Sequence, residues 1–406
     1  MEPPWILVLC HEFPPLGGGA GKNLFLLCRE LTRRGVKVRV WTEDPGVRKR
    51  RHFDFDVEYM AVGRKQRFET SLKGMAAFCA RACLRSLRMR GGRPALVLSV
   101  LGIPSGLAGV FIARRVGAPH AVWYHGSDIH AGRREGPGGF QRFLLRRIWK
   151  GAAVNFFVST GLRDMAAAIG KGGLRRVALL PACPSPEILA YPAAASAAIK
   201  AGGAGTPEDR CFLFLGRLDP VKHPLLALQA IELLKTRGQV THKFRMAGSG
   251  ALAPEVQKFV RVKALSGLVA LEGAASYDRV PELLRSAYAL IVPSRIEGFN
   301  TTILEAAHFG VPAVASDTQG IRDFVKHGET GLLFKENDAE GLAEALRALA
   351  ADPSLRDALG ERARAAALPY RPERVADAFL AGIADVAPGF GAPAMDIRTR
   401  EGATWN

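Results

Sequence analysis

The sequence predicts an α/β protein of two domains, in each of which strands alternate with helices. Its 406 residues are too many for one ordinary core. A strand, a glycine-rich loop, a helix and a second strand open the chain at residues 5–41, and a similar alternation starts again at Cys211. Between them, from Tyr191 to Thr206, the chain is almost entirely Ala, Gly and Pro, the composition of a domain linker. This order of elements is typical of Rossmann-like domains.

The composition is that of a globular protein, with 48% hydrophobic and 23% charged residues. Six cysteines show neither paired spacing nor zinc-ligand spacing, which predicts a reducing compartment. The apolar start of the chain has no basic residues before it and no cleavage site after it, so we interpret it as a strand and not as an export signal. The uncharged stretch 95–113 is broken by Pro104 and three glycines, which favours a buried strand and helix over a membrane span.

The net charge of +18 is concentrated in the N-terminal half. Residues 1–200 contain 32 Lys and Arg against 13 Asp and Glu, whereas residues 201–406 contain 24 against 25. Such asymmetry indicates an anionic partner for the first half: a membrane surface, a phosphorylated lipid carrier, an acidic polysaccharide or nucleic acid. The alternative is a soluble surface rich in arginine. No basic platform interleaved with aromatic residues is evident, so we expect no nucleic acid partner.

Residues 71–90 predict a basic amphipathic helix. One face contains the apolar residues Leu72, Met75, Cys79, Cys83 and Leu87, and the basic residues Lys73, Arg81, Arg85 and Arg88 point towards the other. A helix of this kind can lie on an anionic membrane, or it can simply cover a sheet.

Two loops of the N-terminal half follow predicted strands, where α/β sheets bind ligands. The first, 11–19, lies between the strand 5–10 and the helix 20–34, and its consecutive glycines differ from the Gly-x-Gly-x-x-Gly dinucleotide motif. The second begins at His125, directly after the strand Ala121–Tyr124. The alternative for the first loop is a simple tight turn. The alternative for the second is a loop histidine whose hydrogen bonds are made by the backbone.

In the second half, Arg217 and Lys222 lie on the loop between the strand Cys211–Leu215 and a helix that starts near Pro224. Two cations on one such loop suit a diphosphate, and the alternative is a surface ion pair.

The stretch from Leu290 to Gly320 predicts strand, loop, helix, strand and loop. Asn300 or Thr301 can cap the helix, and Gly310 with Pro312 ends it. Its first-turn N–H groups could hold phosphate oxygens, and they belong to Thr301, Thr302 and Ile303.

Two carboxylates, Glu297 and Glu305, lie eight residues apart on this loop and helix, where they could accept hydrogen bonds from hydroxyl groups. The spacing alone is weak evidence for a binding site, since two glutamates on a solvated helix face would show the same spacing.

The whole segment, Pro-Ser-x-x-Glu-Gly-Phe-x-x-x-x-Leu-Glu-Ala-x-x-x-Gly-x-Pro-x-Val-Ala-Ser, resembles the sugar-donor-binding core of the retaining GT-B glycosyltransferases of family four. Asn300 stands where that family usually has glycine, and Pro181-Ala182-Cys183-Pro184 replaces its usual Pro-Asn-Gly-Val. Gly-Arg-Leu-x-x-x-Lys, at Arg217 and Lys222, resembles the family's phosphate clamp, and Phe-Pro-Pro-x-x-Gly-Gly resembles its N-terminal loop.

The resemblance implies the GT-B architecture, two Rossmann-like domains that face one another across a cleft. The N-terminal acceptor domain would span 1–190 and the linker 191–207. The sugar-donor domain would span 208–370, a helix at 371–387 would cross back to the first domain, and 388–406 would form a tail.

The resemblance also implies a function. A hexose-type sugar would move, with retention of configuration, from a UDP- or GDP-linked donor to a lipid-linked or polysaccharide acceptor in cell-envelope glycan synthesis, such as that of lipopolysaccharide or exopolysaccharide. We expect the protein in the cytoplasm, with peripheral attachment to the inner face of the membrane as a further hypothesis. We expect no metal and no other cofactor, because no Asp-x-Asp motif lies where a sugar donor would bind.

By the same resemblance, His125 would orient the sugar and support its developing charge, while Glu297 would fix sugar hydroxyls. Glu305 would bind the ribose diol. The other residues expected at the sugar donor are Gly18, Gly19, Arg217, Lys222, Gly248, Asn300, Thr301, Thr302 and Ile303.

Two other classes stay open. A GT-B sugar-nucleotide epimerase would share the architecture, and release of free sugar without an acceptor would reveal it. A non-catalytic scaffold that binds membrane or nucleic acid would explain the basic half, and failure of the second domain to bind sugar nucleotide would favour it.

Overall fold

The computed structural model describes residues 3–16, 18–46, 53–62, 71–89, 92–130, 137–170, 172–191 and 211–390. The chain divides into two compact units. The first comprises residues 1–183 and 371–406, and the second comprises residues 184–370. Each unit is an α/β domain built on one parallel sheet.

The first unit has a seven-stranded parallel sheet in the order β3-β2-β1-β4-β5-β6-β7. Its strands are β1 (Trp5–Leu9), β2 (Lys37–Glu43), β3 (Asp56–Met60), β4 (Leu96–Val100), β5 (His120–Tyr124), β6 (Val154–Phe157) and β7 (Val177–Leu179). Its helices are α1 (Gly19–Arg33), α2 (Leu72–Leu87), α3 (Leu107–Val116), α4 (Gly139–Gly151), α5 (Thr160–Gly170) and, after the second unit, α14 (Pro372–Ile383).

The central strands β4, β5 and β6 are buried at every position, as expected for a parallel sheet covered on both faces. Helix α14 belongs to this core because Phe379 packs against Phe156, with ring centroids 5.5 Å apart. Gly382 lies so close to the Phe156 ring that a Cβ atom there would overlap it. Arg34, which follows α1, donates a hydrogen bond of 2.7 Å to Asp377 of α14.

The second unit has a six-stranded parallel sheet in the order β10-β9-β8-β11-β12-β13. Its strands are β8 (Cys211–Leu215), β9 (Phe244–Ala247), β10 (Val269–Gly273), β11 (Ala287–Val292), β12 (Ala313–Ser316) and β13 (Gly331–Phe334). Its helices are α6 (Pro186–Leu189), α7 (Pro224–Thr236), α8 (Ala253–Val262), α9 (Val280–Arg285), α10 (Thr301–His308), α11 (Gln319–Arg322), α12 (Ala339–Ala351) and α13 (Pro353–Ala367).

In each sheet the order in which successive strands are added reverses at the first strand. In the first unit β1 pairs with β2 on one side and β4 on the other, and in the second β8 pairs with β9 and β11. The loops that follow β1 and β4 therefore diverge to opposite faces of the first sheet, and those that follow β8 and β11 do the same in the second. Each pair of loops leaves a crevice, which is where this topology binds ligands.

The structure places the end of the first unit at Cys183, whereas the sequence predicted a boundary at 190. The reason is Ile188 of α6, which is fully buried in a core cluster of the second unit. Most of the predicted linker, 192–207, and the end of the predicted tail, 391–406, lie outside the described residues.

Helix α2 forms as predicted, and Cys79 and Cys83 of its predicted apolar face pack against the core, but Leu72 and Leu87 at its two ends do not. Leu72 and Leu87, expected on the apolar face, are 84% and 52% exposed. The residues that α2 buries are Gly74, Phe78, Ala82 and Ser86, a stripe with period four whose small members allow close packing. Across the described part of the chain, no helix combines the length and the apolar character that a membrane span requires.

Candidate functional site

The candidate site of the second unit is a charged network at the carboxyl ends of β8 and β11. Lys222, on the loop after β8, donates a hydrogen bond of 2.6 Å from Nζ to Oε1 of Glu297, on the loop after β11. Asn300 donates from Nδ2 to the same oxygen at 2.8 Å. The crevice topology thus brings together two loops that are 75 residues apart in sequence.

Asn300 confirms the predicted start of α10, because its Oδ1 accepts the N–H of Ile303 and caps the helix. The capping oxygen and the donating amide nitrogen belong to one side chain, so Asn300 couples the helix start to Glu297. The N–H of Ile303 is therefore engaged within the protein. The N–H groups of Thr301 and Thr302 lie in the first turn, where no intrahelical acceptor is available.

Glu297 is an ionised carboxylate within this network. Its side chain is only 7% exposed, and this burial alone would raise its pKa. The charge and hydrogen bond of Lys222 outweigh burial, with help from Ser294 and Asn300, and the pKa of Glu297 lies below its usual value.

Arg217 lies on the same loop as Lys222 but is 65% exposed. Its Nη1 is 3.0 Å from Oδ2 of Asp219, whose Oδ1 accepts the backbone N–H of Lys222 at 2.8 Å. Asp219 therefore fixes the loop, and the guanidinium of Arg217 stands at its open side.

Two glycines shape the crevice by close backbone approach. A Cβ atom on Gly248 would overlap the carbonyl oxygen of Gly216, and one on Gly320 would overlap that of Glu297. The N–H of Gly248 donates to Gly273 at 2.7 Å. Packing thus explains the glycine at 248, and its predicted contact with the sugar donor stays a prediction.

Glu305 lies one turn inside α10 and is 8% exposed. Its Oε1 accepts the backbone N–H of Ser185 at 3.2 Å. The structure therefore gives Glu305 a contact with the segment that enters the second unit, which the sequence did not predict, while its binding of a ribose diol stays a prediction.

Sequence reasoning missed two residues beside the network, Arg295 and His223. The N–H of Arg295 donates to the carbonyl of Val221 at 2.9 Å, and Nη2 of Arg295 lies 3.5 Å from Nε2 of His223. Burial and the Arg295 charge lower the pKa of His223, whose backbone has a left-handed φ of 51°. Their positions in the sequence could have indicated them, because His223 lies on the same loop as Lys222 and Arg295 lies on the same loop as Glu297.

The candidate site of the first unit is built around His125, on the loop after β5. His125 is half-buried, and its Nε2 is a buried atom without a hydrogen-bond partner among the described residues. Burial lowers its pKa to about 3, so the imidazole is neutral near pH 7. Its ring packs on that of Trp123, with centroids 4.4 Å apart.

Asp128 holds this loop in place. It accepts the N–H of Gly102 at 2.6 Å and that of Gly126 at 3.2 Å. Burial raises the pKa of Asp128 to about 6 despite these hydrogen bonds. Leu101, which precedes Gly102, has a left-handed φ of 69°, unusual for a branched side chain. The loop after β4 is therefore strained where it meets Asp128.

The glycine loop before α1 has open space beside Gly18 and Gly19, since a Cβ atom on either would meet nothing within 4 Å. Gly18 caps α1 without a side-chain hydrogen bond, which leaves the first-turn N–H groups of a 15-residue helix to other acceptors. The glycine that the fold itself requires is Gly21, which the sequence did not single out. Its Cβ atom would overlap the carbonyl oxygen of Glu12.

The described residues contain no group of three or more His, Cys, Asp or Glu that could hold a metal ion. The expectation of metal-free chemistry stays a prediction.

Two family profiles match the chain. One, described as glycosyl transferases group 1, matches residues 198–366, and the other, described as a glycosyl transferase 4-like domain, matches residues 18–183. The second match ends where the first unit ends. Together the two profiles span most of the chain.

Among similar proteins, the D-inositol 3-phosphate glycosyltransferase of Acidothermus cellulolyticus is 34% identical over 190 residues, which cover 43% of this chain and 41% of that protein. An α-1,4-N-acetyl-D-galactosaminyltransferase of Campylobacter jejuni, named for a diphospho-undecaprenol-linked glycan, is 29% identical over 180 residues, covering 44% of this chain and 49% of that protein. The matched stretches span less than half the length of these relatives.

Solved structures share the fold across nearly the whole chain. The sucrose-phosphate synthase of Thermosynechococcus elongatus superposes with a TM-score of 0.75 at 19% identity and covers 92% of this chain and 96% of that one. Anabaena HepE in complex with UDP has a TM-score of 0.70 at 16% identity, with 94% and 100% covered. The profiles, the relatives and the two-domain fold agree, and the chain belongs to the GT-B glycosyltransferases of family four.

Proposed function

We propose that the chain is a retaining glycosyltransferase that moves a hexose-type sugar from a UDP- or GDP-linked donor to a lipid-linked or polysaccharide acceptor in cell-envelope glycan synthesis. The observation that carries this proposal is the network of Lys222, Glu297 and Asn300, which lies beside the first turn of α10 in the crevice of the second sheet.

The first requirement of this function is a seat for a diphosphate. Lys222 uses one of its three N–H donors on Glu297, so two are left for phosphate oxygens. The N–H groups of Thr301 and Thr302 and the positive end of the α10 dipole add to the same seat. Arg217, held by Asp219 at the open side of the loop, supplies a second positive charge.

The second requirement is stabilisation of charge during transfer. When the bond between the anomeric carbon and the diphosphate breaks, the leaving oxygen gains negative charge, which Lys222 and the N–H groups stabilise. The sugar gains positive charge, and the carboxylate of Glu297, ionised because its pKa is lowered, fixes the sugar hydroxyls.

In the first unit, we assign His125 to the sugar and Gly18 and Gly19 to the approach of the diphosphate, as the family resemblance implies. A neutral imidazole with an unpartnered Nε2 can accept a hydrogen bond from a hydroxyl group and support positive charge without repelling it.

Retention would follow from front-face attack. The acceptor oxygen bonds to the anomeric carbon on the face that the diphosphate leaves, and the acceptor proton passes to an oxygen of the departing phosphate. The relative named for a diphospho-undecaprenol-linked glycan supports a lipid-linked acceptor, and neighbours in complex with UDP and UDP-glucose support the donor class.

The test is a screen of UDP- and GDP-sugars by calorimetry, followed by product mass with lipid-linked and polysaccharide acceptors. Arg217→Ala and Glu305→Ala should each weaken nucleotide binding by roughly ten- to a hundred-fold, because each removes a charged hydrogen bond worth about 1.5–3 kcal/mol. Unchanged affinity in both variants would overturn the site, and release of free sugar without acceptor would favour an epimerase.

A further inference from the structure

Helices α2, α3 and α4 form one continuous layer on the first unit. α3 packs against both α2 and α4 and lies on β4 and β5. Arg115 of α3 donates a hydrogen bond of 3.2 Å to the carbonyl of Leu87 at the end of α2. The three helices contain 39 residues, of which nine are Lys or Arg and none is Asp or Glu.

The outer side of this layer, which we call the three-helix surface, is also apolar. It contains six large exposed hydrophobic side chains: Leu72, Leu84, Leu87, Phe111, Phe140 and Phe143. Phe140 is 77% and Leu84 is 61% exposed. Among the described residues of the first unit, Val177 is the one other large hydrophobic side chain with such exposure.

Basic side chains stand among these hydrophobic ones. Those exposed on the three helices are Lys73, Arg81, Arg85, Arg114, Arg115, Arg147 and Lys150. Arg85 differs from the rest, because it pairs with Glu58 of β3 and lies over the Trp41 ring. By charge count the first unit holds 35 Lys and Arg against 17 Asp and Glu, whereas the second holds 21 of each.

We propose that the three-helix surface docks on an anionic lipid bilayer. Exposed phenylalanine and leucine side chains would enter the boundary between headgroups and acyl chains, and the surrounding arginines and lysines would contact lipid phosphates. A surface that served only solubility would have no need of six large apolar side chains, and α2, α3 and α4 contain no acidic residue that an anionic bilayer would repel. The proposal goes beyond the transfer reaction and does not depend on it.

The experiment is co-sedimentation of the full-length chain with vesicles of phosphatidylcholine plus phosphatidylglycerol, and with vesicles of phosphatidylcholine alone. One variant combines Arg81→Gln, Arg114→Gln and Arg147→Gln. A second combines Leu84→Ser, Phe140→Ser and Phe143→Ser. The matched control combines Lys258→Gln, Arg261→Gln and Arg347→Gln, three exposed positions of the second unit that lower the net charge equally.

The wild type and the control should bind the anionic vesicles at low salt, release them as salt rises, and leave neutral vesicles unbound. The arginine variant should lose about a hundred-fold in partition coefficient, given the contribution of each basic residue at an anionic surface. The apolar variant should lose binding even at low salt.

The proposal is overturned if the wild type stays in the supernatant with anionic vesicles, or if the control loses as much binding as the arginine variant. Thermal unfolding of each variant shows whether it is folded. Because the readout contains no sugar nucleotide, its result is independent of the proposed transfer activity.

Discussion

The candidate sites of the two units lie at the same point of the same topology but are built from opposite chemistry. In the second unit the crevice contains a paired lysine and glutamate, Lys222 and Glu297, in a unit whose net charge is zero. In the first unit the crevice contains a neutral histidine, glycines and a buried acid of raised pKa, in a unit whose net charge is +18. The difference shows that the net charge of a domain does not predict the charge of its candidate site.

If the first site depends on backbone packing, one methyl group should break it. Gly21→Ala places a Cβ atom on the carbonyl of Glu12, and we expect destabilisation of about 3 kcal/mol or more. Gly18→Ala, with open space around it, should cost only the change of N-cap from glycine to alanine, about 1 kcal/mol or less. Equal melting temperatures for the two variants would contradict the close approach at Gly21.

If the second site depends on charge, Lys222→Ala should be its most damaging substitution. It removes a cation of the proposed diphosphate seat and leaves the carboxylate of Glu297, which is 7% exposed, without its ion pair. We expect nucleotide affinity to fall about a hundred-fold, since a charged hydrogen bond contributes about 1.5–3 kcal/mol. Lys258→Ala, on the exposed side of α8, is the control and should bind as the wild type does in calorimetry.

The carboxylates of Glu297 and Asp128, one in each candidate site, should change the free energy of unfolding in opposite directions as pH rises. The pKa of Glu297 is lowered in the folded chain, so its stabilising effect is present above its unfolded pKa and is lost as pH falls through the lower folded value. The pKa of Asp128 is raised to about 6, so stability falls as pH rises from near 4 through 6.

Unfolding curves at several pH values should separate these effects. Glu297→Gln should reduce the loss of stability in acid. Asp128→Asn should flatten the profile between about pH 4 and 6, where the raised pKa of Asp128 corresponds to about 3 kcal/mol. A Glu297→Gln variant should also have lower turnover, because it keeps the shape of the side chain and loses its charge at the proposed sugar site. Normal turnover would remove Glu297 from the chemistry.

The smallest effect concerns the residue that departs from the family pattern. Asn300→Gly restores the usual glycine but removes both the cap on Ile303 and the hydrogen bond to Glu297. Glycine is a tolerated N-cap and Lys222 still pairs with Glu297, so we expect a loss of about 1.5 kcal/mol in chemical unfolding, the low end for a hydrogen bond to a charged group. Asn300→Ala should cost more, and the reverse order would show that capping is not the role of Asn300.

Much of the fold follows from the sequence alone because its signals are local. Apolar runs fixed the strands Leu96–Val100 and Cys211–Leu215, and the segment around Asn300 and Gly310 placed α10 at Thr301–His308. The alternation of strand and helix, together with the motifs at Arg217, Lys222 and Glu297, was enough to predict two Rossmann-like domains and their family.

The tertiary structure decided what depends on distant parts of the chain. The sheet order that joins β8 to β11 creates the pair of Lys222 and Glu297, and no pattern within either loop specifies it. The buried face of α2 was likewise set by what it packs against, since Phe78 is buried while the equally apolar Leu72 is exposed. The neutral state of His125 and the raised pKa of Asp128 also come from burial, because desolvation depends on every atom that surrounds a group and not on its neighbours in sequence.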